Sequence, residues 1–167
     1  MIVITKATEA DLSLIQDIAH RTWPDTFGSI LSPVQINYML DMMYSPKALK
    51  EQLNEKNHVF LLAKEGGDYF GYVSYELNYQ HEPLTKIHKL YLLPASQGKG
   101  IGRLLIDSVA DMAKHHDNNR LGLNVNRYNK AIQFYERMGF SIVGHETIDI
   151  GDGFLMDDFV MEKLLHT

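Results

Sequence analysis

The segment that most constrains this chain is LYLLPASQGKGIGRLLIDSVADMAKHH, residues 90–116. An apolar run meets Pro94, glycines stand at 98, 100 and 102, and an amphipathic stretch of helical period follows. A strand that feeds a helix through such a turn has a specific use. Without side chains, Gly98 and Gly100 let the backbone approach a ligand closely. The first N–H groups of a helix have no partner inside it, and the helix dipole favours negative charge at that end. The segment therefore predicts a phosphate or pyrophosphate site, with Gly102 serving close helix packing; the alternative is a tight turn that binds nothing. Two better-known phosphate motifs do not fit. A nucleotide P-loop needs Gly-Lys-Ser/Thr, and here Lys99 is followed by glycine. The dinucleotide fingerprint needs Gly-x-Gly-x-x-Gly, and here the third glycine comes one residue early.

The flanking sequence predicts one mixed sheet. MIVITKA reads as a strand, and Thr8 with Asp11 has capping-box spacing before the stripe Leu12, Ile15 and Ala19. TWPDTFGSILSP reads as irregular, because it holds Pro24, Gly28 and Pro33. Ser32-Pro33 and Ser45-Pro46 read as the starts of two short helices. From residue 58 the period changes to two: HVFLLAKE, the turn GGD and YFGYVSYELNY form a hairpin, and LTKIHKLYLL is a further strand. The helix after the glycine turn is expected to bury Ile101, Leu104, Leu105, Val109 and Met112. RLGLNVN is a strand, NKAIQFYERM a helix, and FSIVGHETIDI with FLMDDFVMEKLL a last hairpin about GDG. The expected class is α/β.

Composition narrows the function. The 167 residues include no cysteine, which excludes disulfides, zinc-thiolate sites and a cysteine nucleophile. A net charge of -5 without a basic patch argues against nucleic acid and mildly favours a cationic substrate. The N-terminus lacks the pattern of a signal peptide and no run is long enough to span a membrane, so a cytoplasmic location is expected. No His/Asp/Glu spacing calls for a metal. His115 and His116 read as residues suited to a helix C-terminus.

Gln97-Gly98-Lys99-Gly100-Ile101-Gly102 after LYLLP resembles the acetyl-CoA motif of the GCN5-related N-acetyltransferases (GNAT), whose pattern is Gln/Arg-x-x-Gly-x-Gly/Ala. NVNRYNKAIQFYERMGF resembles the second block of that family, through Asn129, Ala131, Phe134, Tyr135, Gly139 and Phe140. The resemblance covers nearly the whole chain, 1–167, as a single N-acetyltransferase domain. It implies the GNAT fold: a mixed central sheet of six to seven strands, helices on both faces and a splay between the central strands. TFGSILSPVQINYMLDMMYSPKALKEQL and KIHKLYLLPASQGKGIG resemble, more narrowly, bacterial relatives of spermidine/spermine acetyltransferases.

The resemblance implies acetyl-CoA as cofactor and no metal. The backbone of Leu90, Tyr91 and Leu92 would pair with the pantetheine arm. The amides from Gln97 to Gly102 would hold the pyrophosphate, with charge from Lys99 and Arg103, which could equally be solvated surface residues. Asn129 would contact CoA, or cap its helix, or both. Tyr135 matches the position of the general acid that protonates the departing thiolate; a core tyrosine is the alternative. His88 and Glu76 are candidates for the base, and a water chain would also serve. His88 shares a face with Leu90 and Leu92 by period two, which also suits a core histidine. Trp23, Phe27, Tyr75, Tyr79 and Glu82 are candidates to wall an amine pocket, since aromatic faces and a carboxylate suit a cation; packing roles explain each equally well. The expected acceptor is a small primary amine, in particular a polyamine, attacked directly in a ternary complex. A peptide N-terminal acetyltransferase and a non-catalytic acyl-CoA-binding regulator are the competing readings. A homodimer is compatible with all three.

Overall fold

The computed structural model describes residues 1–166. Seven strands form one sheet: β1 (Val3–Lys6), β2 (Val59–Glu65), β3 (Asp68–Glu76), β4 (Leu84–Leu92), β5 (Arg120–Asn126), β6 (Ser141–Gly151) and β7 (Phe154–Leu164). Their order is β1-β2-β3-β4-β5-β7-β6. Only β4 and β5 run parallel among these pairings. The helices are α1 (Leu12–Phe27), α2 (Pro33–Tyr44), α3 (Pro46–Asn54), α4 (Ile101–His115) and α5 (Ala131–Arg137). This is the expected mixed sheet with helices on both faces.

Alternation along the strands splits the core in two. Leu61, Val73, Ile87, Leu121 and Leu123 face α4 and α5, while Phe60, Leu62 and Tyr72 face α1, α2 and α3. The local signals that start the helices act as expected. The Asp11 carboxylate accepts from the Thr8 N–H at 2.9 Å at the entry to α1. Ser32 and Ser45 each cap a helix whose first residue is proline, accepting from the N–H of Gln35 and of Ala48 at 3.1 Å.

Two expectations need correction. TWPDTF is not irregular: α1 runs through Pro24 to Phe27. Proline removes one backbone donor, but Pro24 lies on the exposed side, while Thr22, Trp23 and Phe27 continue the buried stripe of Ile15, Ile18 and Ala19. Burial of that stripe overrides local propensity. In α4 the buried face is Ile101, Leu105, Ile106, Val109, Ala110 and Ala113, whereas Leu104 and Met112 are 40% and 37% exposed. Ile101, Leu105, Ile106 and Val109 fill that interface, and Ala110 and Ala113 continue it toward the end of the helix.

Candidate active site

The site begins where β4 and β5 part. Their parallel pairing ends at Ile87 with Leu123. Both strands then continue, β4 to Leu92 and β5 to Asn126, without pairing to each other. The β5-facing backbone edge of β4 is therefore open from His88 onward, beside Leu90, Tyr91 and Leu92. Such an edge can hydrogen-bond an extended amide-containing ligand as a strand would.

The glycine turn closes the far end of this opening. Gly98 and Gly100 have φ of +76° and +68°, and a Cβ at either would meet nothing within 4 Å. Positive φ, not crowding, is thus what selects glycine there. The amides of Gln97 and Lys99 turn inward onto the carbonyls of Pro94 and Ser96. Among the described residues, no backbone acceptor meets the amides of Gly98, Gly100, Ile101 or Gly102. The amides left free are therefore a subset of the Gln97–Gly102 set expected from the motif. Gly102 has a different reason: its Cβ would lie 2.8 Å from Cζ of Phe134, which fits the packing role expected of it.

A cleft of about 660 Å³ runs from this turn along the end of β4. Thr22, Asp25 and Thr26 of α1 form one wall, and Phe134, Arg137 and Met138 the other. Arg103 lines it, whereas Lys99 sends its ammonium over the Phe70 ring at 5.4 Å. Arg137 was not expected; it stands two residues after Tyr135, on the helix that flanks the turn.

Tyr135 is buried on α5, with its ring against Phe134 and Phe140. Burial raises its pKa, so it stays protonated near neutral pH. Among the described residues its hydroxyl has no hydrogen-bond partner, and it is close enough to Tyr91 for the two ionisations to oppose each other. A neutral, unengaged phenol can donate a proton but is a poor base. The Asn129 side chain accepts from the Ala131 N–H at 2.8 Å in the turn that leads into α5, whose N-cap position is held by Lys130 and not by Asn129.

On the α1 face, Glu76, His88 and His58 converge. His88 Nε2 and Glu76 Oε1 are 3.0 Å apart, and His58 Nε2 is 3.6 Å from the same oxygen. The two imidazoles stack at 4.0 Å and 10°, and Tyr79 packs edge-on to His88 at 5.8 Å. His88 does not share a face with Leu90 and Leu92. The register between β3 and β4 slips at Ser74/Tyr75, where Ile87 pairs with Tyr75 but Lys89 with Ser74. His88 is the extra residue of this bulge. The slip turns His88 and Lys89 together toward α3, while Ile87, Leu90 and Leu92 stay on the α4 side. Burial and then the neighbouring His58 and lysines push His88 down to about 2; burial and Lys89 push His58 down to about 4. Both rings are therefore neutral at neutral pH. Burial moves the Glu76 carboxyl the other way, above its ordinary value. Lys89, buried with its ammonium 2.7 Å from Gln52 Oε1, is lowered to about 7, mainly by burial.

Residues 30–162 match the acetyltransferase (GNAT) domain family. The chain belongs to the GNAT family. An uncharacterized N-acetyltransferase of Mycobacterium tuberculosis is 29% identical over 156 residues, 93% of this chain and 98% of that protein. Streptothricin acetyltransferase of Streptomyces lavendulae is 34% identical over 89 residues, 53% of this chain and 47% of that enzyme. The crystal structure of the PaiA N-acetyltransferase from Thermoplasma acidophilum in complex with coenzyme A superimposes with a TM-score of 0.80 at 26% identity, over 98% of this chain and 99% of that one. The spermidine/spermine N-acetyltransferase SpeG of Vibrio cholerae, at 20% identity and a TM-score of 0.66 over 98% of this chain and 95% of that one, shares the fold.

Within this GNAT frame, the residues expected to wall an amine pocket scatter. Trp23 and Phe27 are buried, with rings 5.7 and 6.5 Å from Tyr91. They stand behind Tyr91 and support it, leaving Thr22, Asp25 and Thr26 to line the cleft. Tyr75 lies in the core on the α4 face. Glu82 precedes β4, at the end of that strand opposite the glycine turn, and binds Arg120 at 2.7 Å, which also binds Glu162 at 2.9 Å. Arg120 thus engages Glu82 beside the Leu84–Arg120 pair, where β4 and β5 are still joined, and not at the splay. Tyr79 alone of the five stays with the Glu76–His88 pair. Sequence reasoning missed another group of acids. Lys86, its ammonium bonded to Asn124 Oδ1 and 5.4 Å over the Tyr79 ring, feels Glu146, Asp158 and Glu162. Asp158 is only 2% exposed, and burial raises its carboxyl pKa. Asn126, Asp158 and Glu146 pair side by side across β5, β7 and β6, just past the point where β4 leaves β5.

Proposed function

We propose that residues 1–167 act as one catalytic domain that transfers the acetyl group of acetyl-CoA to a small primary amine, with a polycationic amine preferred. The observation that carries this reading is the opening between β4 and β5, which joins an anion-binding turn at one end to the Glu76–His88 pair and acidic residues at the other. The pyrophosphate would rest on the free amides at Gly98–Gly102, near Arg103 and Arg137. The pantetheine arm would pair with the open edge of β4, which brings the thioester to Tyr135. The relative from Thermoplasma acidophilum, whose structure contains coenzyme A, supports this placement.

The acceptor would enter on the face that carries Glu76. Its free amine nitrogen attacks the thioester carbonyl, forming the C–N bond. The tetrahedral adduct collapses with loss of the C–S bond. Glu76, its proton affinity raised by burial and its orientation held by His88, takes the proton shed by the ammonium, directly or through water. Tyr135 gives its proton to the departing thiolate. Asp158 and Glu146 would hold a second ammonium of a di- or tricationic amine, because charge pairs in a partly dry groove are screened less than surface pairs.

Steady-state kinetics on spermidine, a monoamine of similar length and an N-terminal peptide test the reading, with free CoA followed by a thiol reagent. The protein has no cysteine to interfere. The expected order of kcat/KM is spermidine above monoamine above peptide, with the spermidine KM rising as salt is added. Peptide turnover equal to or above that of spermidine would overturn the small-amine reading in favour of a peptide acetyltransferase.

A further inference from the structure

His58, Glu76 and His88 come from three different strands or strand entries, and no spacing in the sequence joins them. In the fold they offer one ligand atom each, all within 4.8 Å of one another. Nε2 of His88 and of His58 lie 3.0 and 3.6 Å from Glu76 Oε1. In a tetrahedral zinc site with bonds of about 2.0–2.2 Å, neighbouring ligand atoms sit about 3.4 Å apart. The two histidine–carboxylate separations bracket that value, and the two histidine nitrogens lie within 4.8 Å of each other. We propose that these three residues form a binding site for a borderline divalent transition ion, with zinc as its representative.

Two imidazoles and one carboxylate select zinc, cobalt or nickel over magnesium or calcium, which prefer all-oxygen shells. A neutral imidazole keeps one ring nitrogen free of a proton, and a switch of tautomer presents that nitrogen to an ion. The side chains are 10%, 24% and 21% exposed for His58, Glu76 and His88, which leaves a path in and room for water or an amine as a further ligand. The rings stack nearly parallel, so a modest turn about χ2 is needed to aim both nitrogens at one point. No hydrogen bond at the outer ring nitrogens opposes that turn: His58 Nδ1 is buried without a partner, and among the described residues His88 Nδ1 has none. The same lack of outer hydrogen bonds weakens the site, because such bonds to ligating histidines typically contribute 10–100-fold in affinity. Micromolar rather than structural-zinc affinity is expected. A bound ion would take the Glu76 lone pair, so it would inhibit acetyl transfer; that consequence rests on the proton role proposed above, whereas the binding does not.

Calorimetric titration of the full chain with Zn²⁺, and visible absorption of the Co²⁺ form, test the site. The wild type should bind one ion per chain and show the intense bands of four- or five-coordinate cobalt. His58→Gln and Glu76→Gln should each weaken binding at least about tenfold, as loss of a ligand must exceed the lower limit for an outer-shell partner. A double variant of the exposed His115 and His116 should bind as wild type does, and Mg²⁺ should not compete. Melting curves without metal establish that the variants fold; if one does not, the cobalt spectrum of the other decides. Absence of saturable zinc binding, or equal binding after His58→Gln and Glu76→Gln, would overturn the proposal. Turnover followed at the thioester absorbance separates the two readings: tight zinc binding with unaltered kcat would keep the site and remove Glu76 from proton transfer.

Discussion

His88 Nε2 lies 3.0 Å from Glu76 Oε1 because a β-bulge rotates His88 out of the alternation of its own strand. The bulge sits one residue past the last β4–β5 pair, so the backbone irregularity that points the imidazole also marks where the two strands separate.

Replacing either member of this pair should separate orientation from proton transfer. Glu76→Gln keeps the shape and removes the acceptor, so kcat is expected to fall about 10²–10⁴-fold, the usual contribution of a positioned acid or base. His88→Gln should cost less, because a water can still reach the carboxylate. Pre-steady-state and steady-state rates with the best amine check this. If Glu76→Gln retains kcat within about threefold, well below that range, the proton leaves by another route.

Tyr135→Phe removes only the hydroxyl of a buried ring. A kcat loss of about 10²–10⁴-fold with a nearly unchanged acetyl-CoA Kd is expected if the phenol protonates the thiolate. Calorimetry and turnover on the same preparation give both quantities.

The glycine turn allows a matched comparison. Gly100 and Gly66 both have positive φ, +68° and +61°, and open space where a Cβ would go. Gly100→Glu and Gly66→Glu therefore carry similar backbone strain, about 1–2 kcal/mol. Only the first places a carboxylate beside the free amides. Acetyl-CoA affinity should fall at least about tenfold, 1.4 kcal/mol, for Gly100→Glu and stay constant for Gly66→Glu. Parallel titrations decide it.

Gly102→Ala tests packing. The added methyl meets Phe134 at 2.8 Å, so overpacking should cost about 1–3 kcal/mol in urea unfolding. At Glu82 the expected result is nearly nothing: Glu82→Gln removes an exposed ion pair, worth at most about 1 kcal/mol, and should leave amine KM unchanged. Glu146→Gln should raise the spermidine KM while sparing the monoamine.

His58 and His88 should make stability fall in mild acid. Their folded pKa values, about 4 and about 2, lie below the ordinary 6.5. The unfolded chain therefore binds protons below pH 6.5 that the native state refuses. The stabilisation is present above pH 6.5 and is lost as pH falls toward 4 and below, by up to about 1.4 kcal/mol per pH unit for each ring. Urea midpoints between pH 7 and pH 4.5 should drop less steeply for His58→Gln than for wild type. An unchanged slope would mean that His58 is protonated in the folded protein.

The sequence by itself determined whatever depends on neighbours along the chain. Ser32-Pro33 and Ser45-Pro46 specified helix starts because a cap needs only a side chain and an amide three residues on. The period of two set the strands, and Gly98 and Gly100 specified a left-handed turn at a helix start because φ is a local variable. Tertiary structure decided what depends on distant partners. Whether α1 passes Pro24 was settled by the burial of Trp23 and Phe27, which outweighs one lost hydrogen bond. The face of α4 was chosen by packing against the sheet, which buries Ile106, Ala110 and Ala113 in place of Leu104 and Met112. His88 changed sides because a bulge is a mismatch between two strands, and one strand's alternation cannot record it. Glu82 was drawn to Arg120, and His58 to Glu76, for the same reason: the field around an ionisable group is made by residues that fold alongside it, often tens of positions away in the chain.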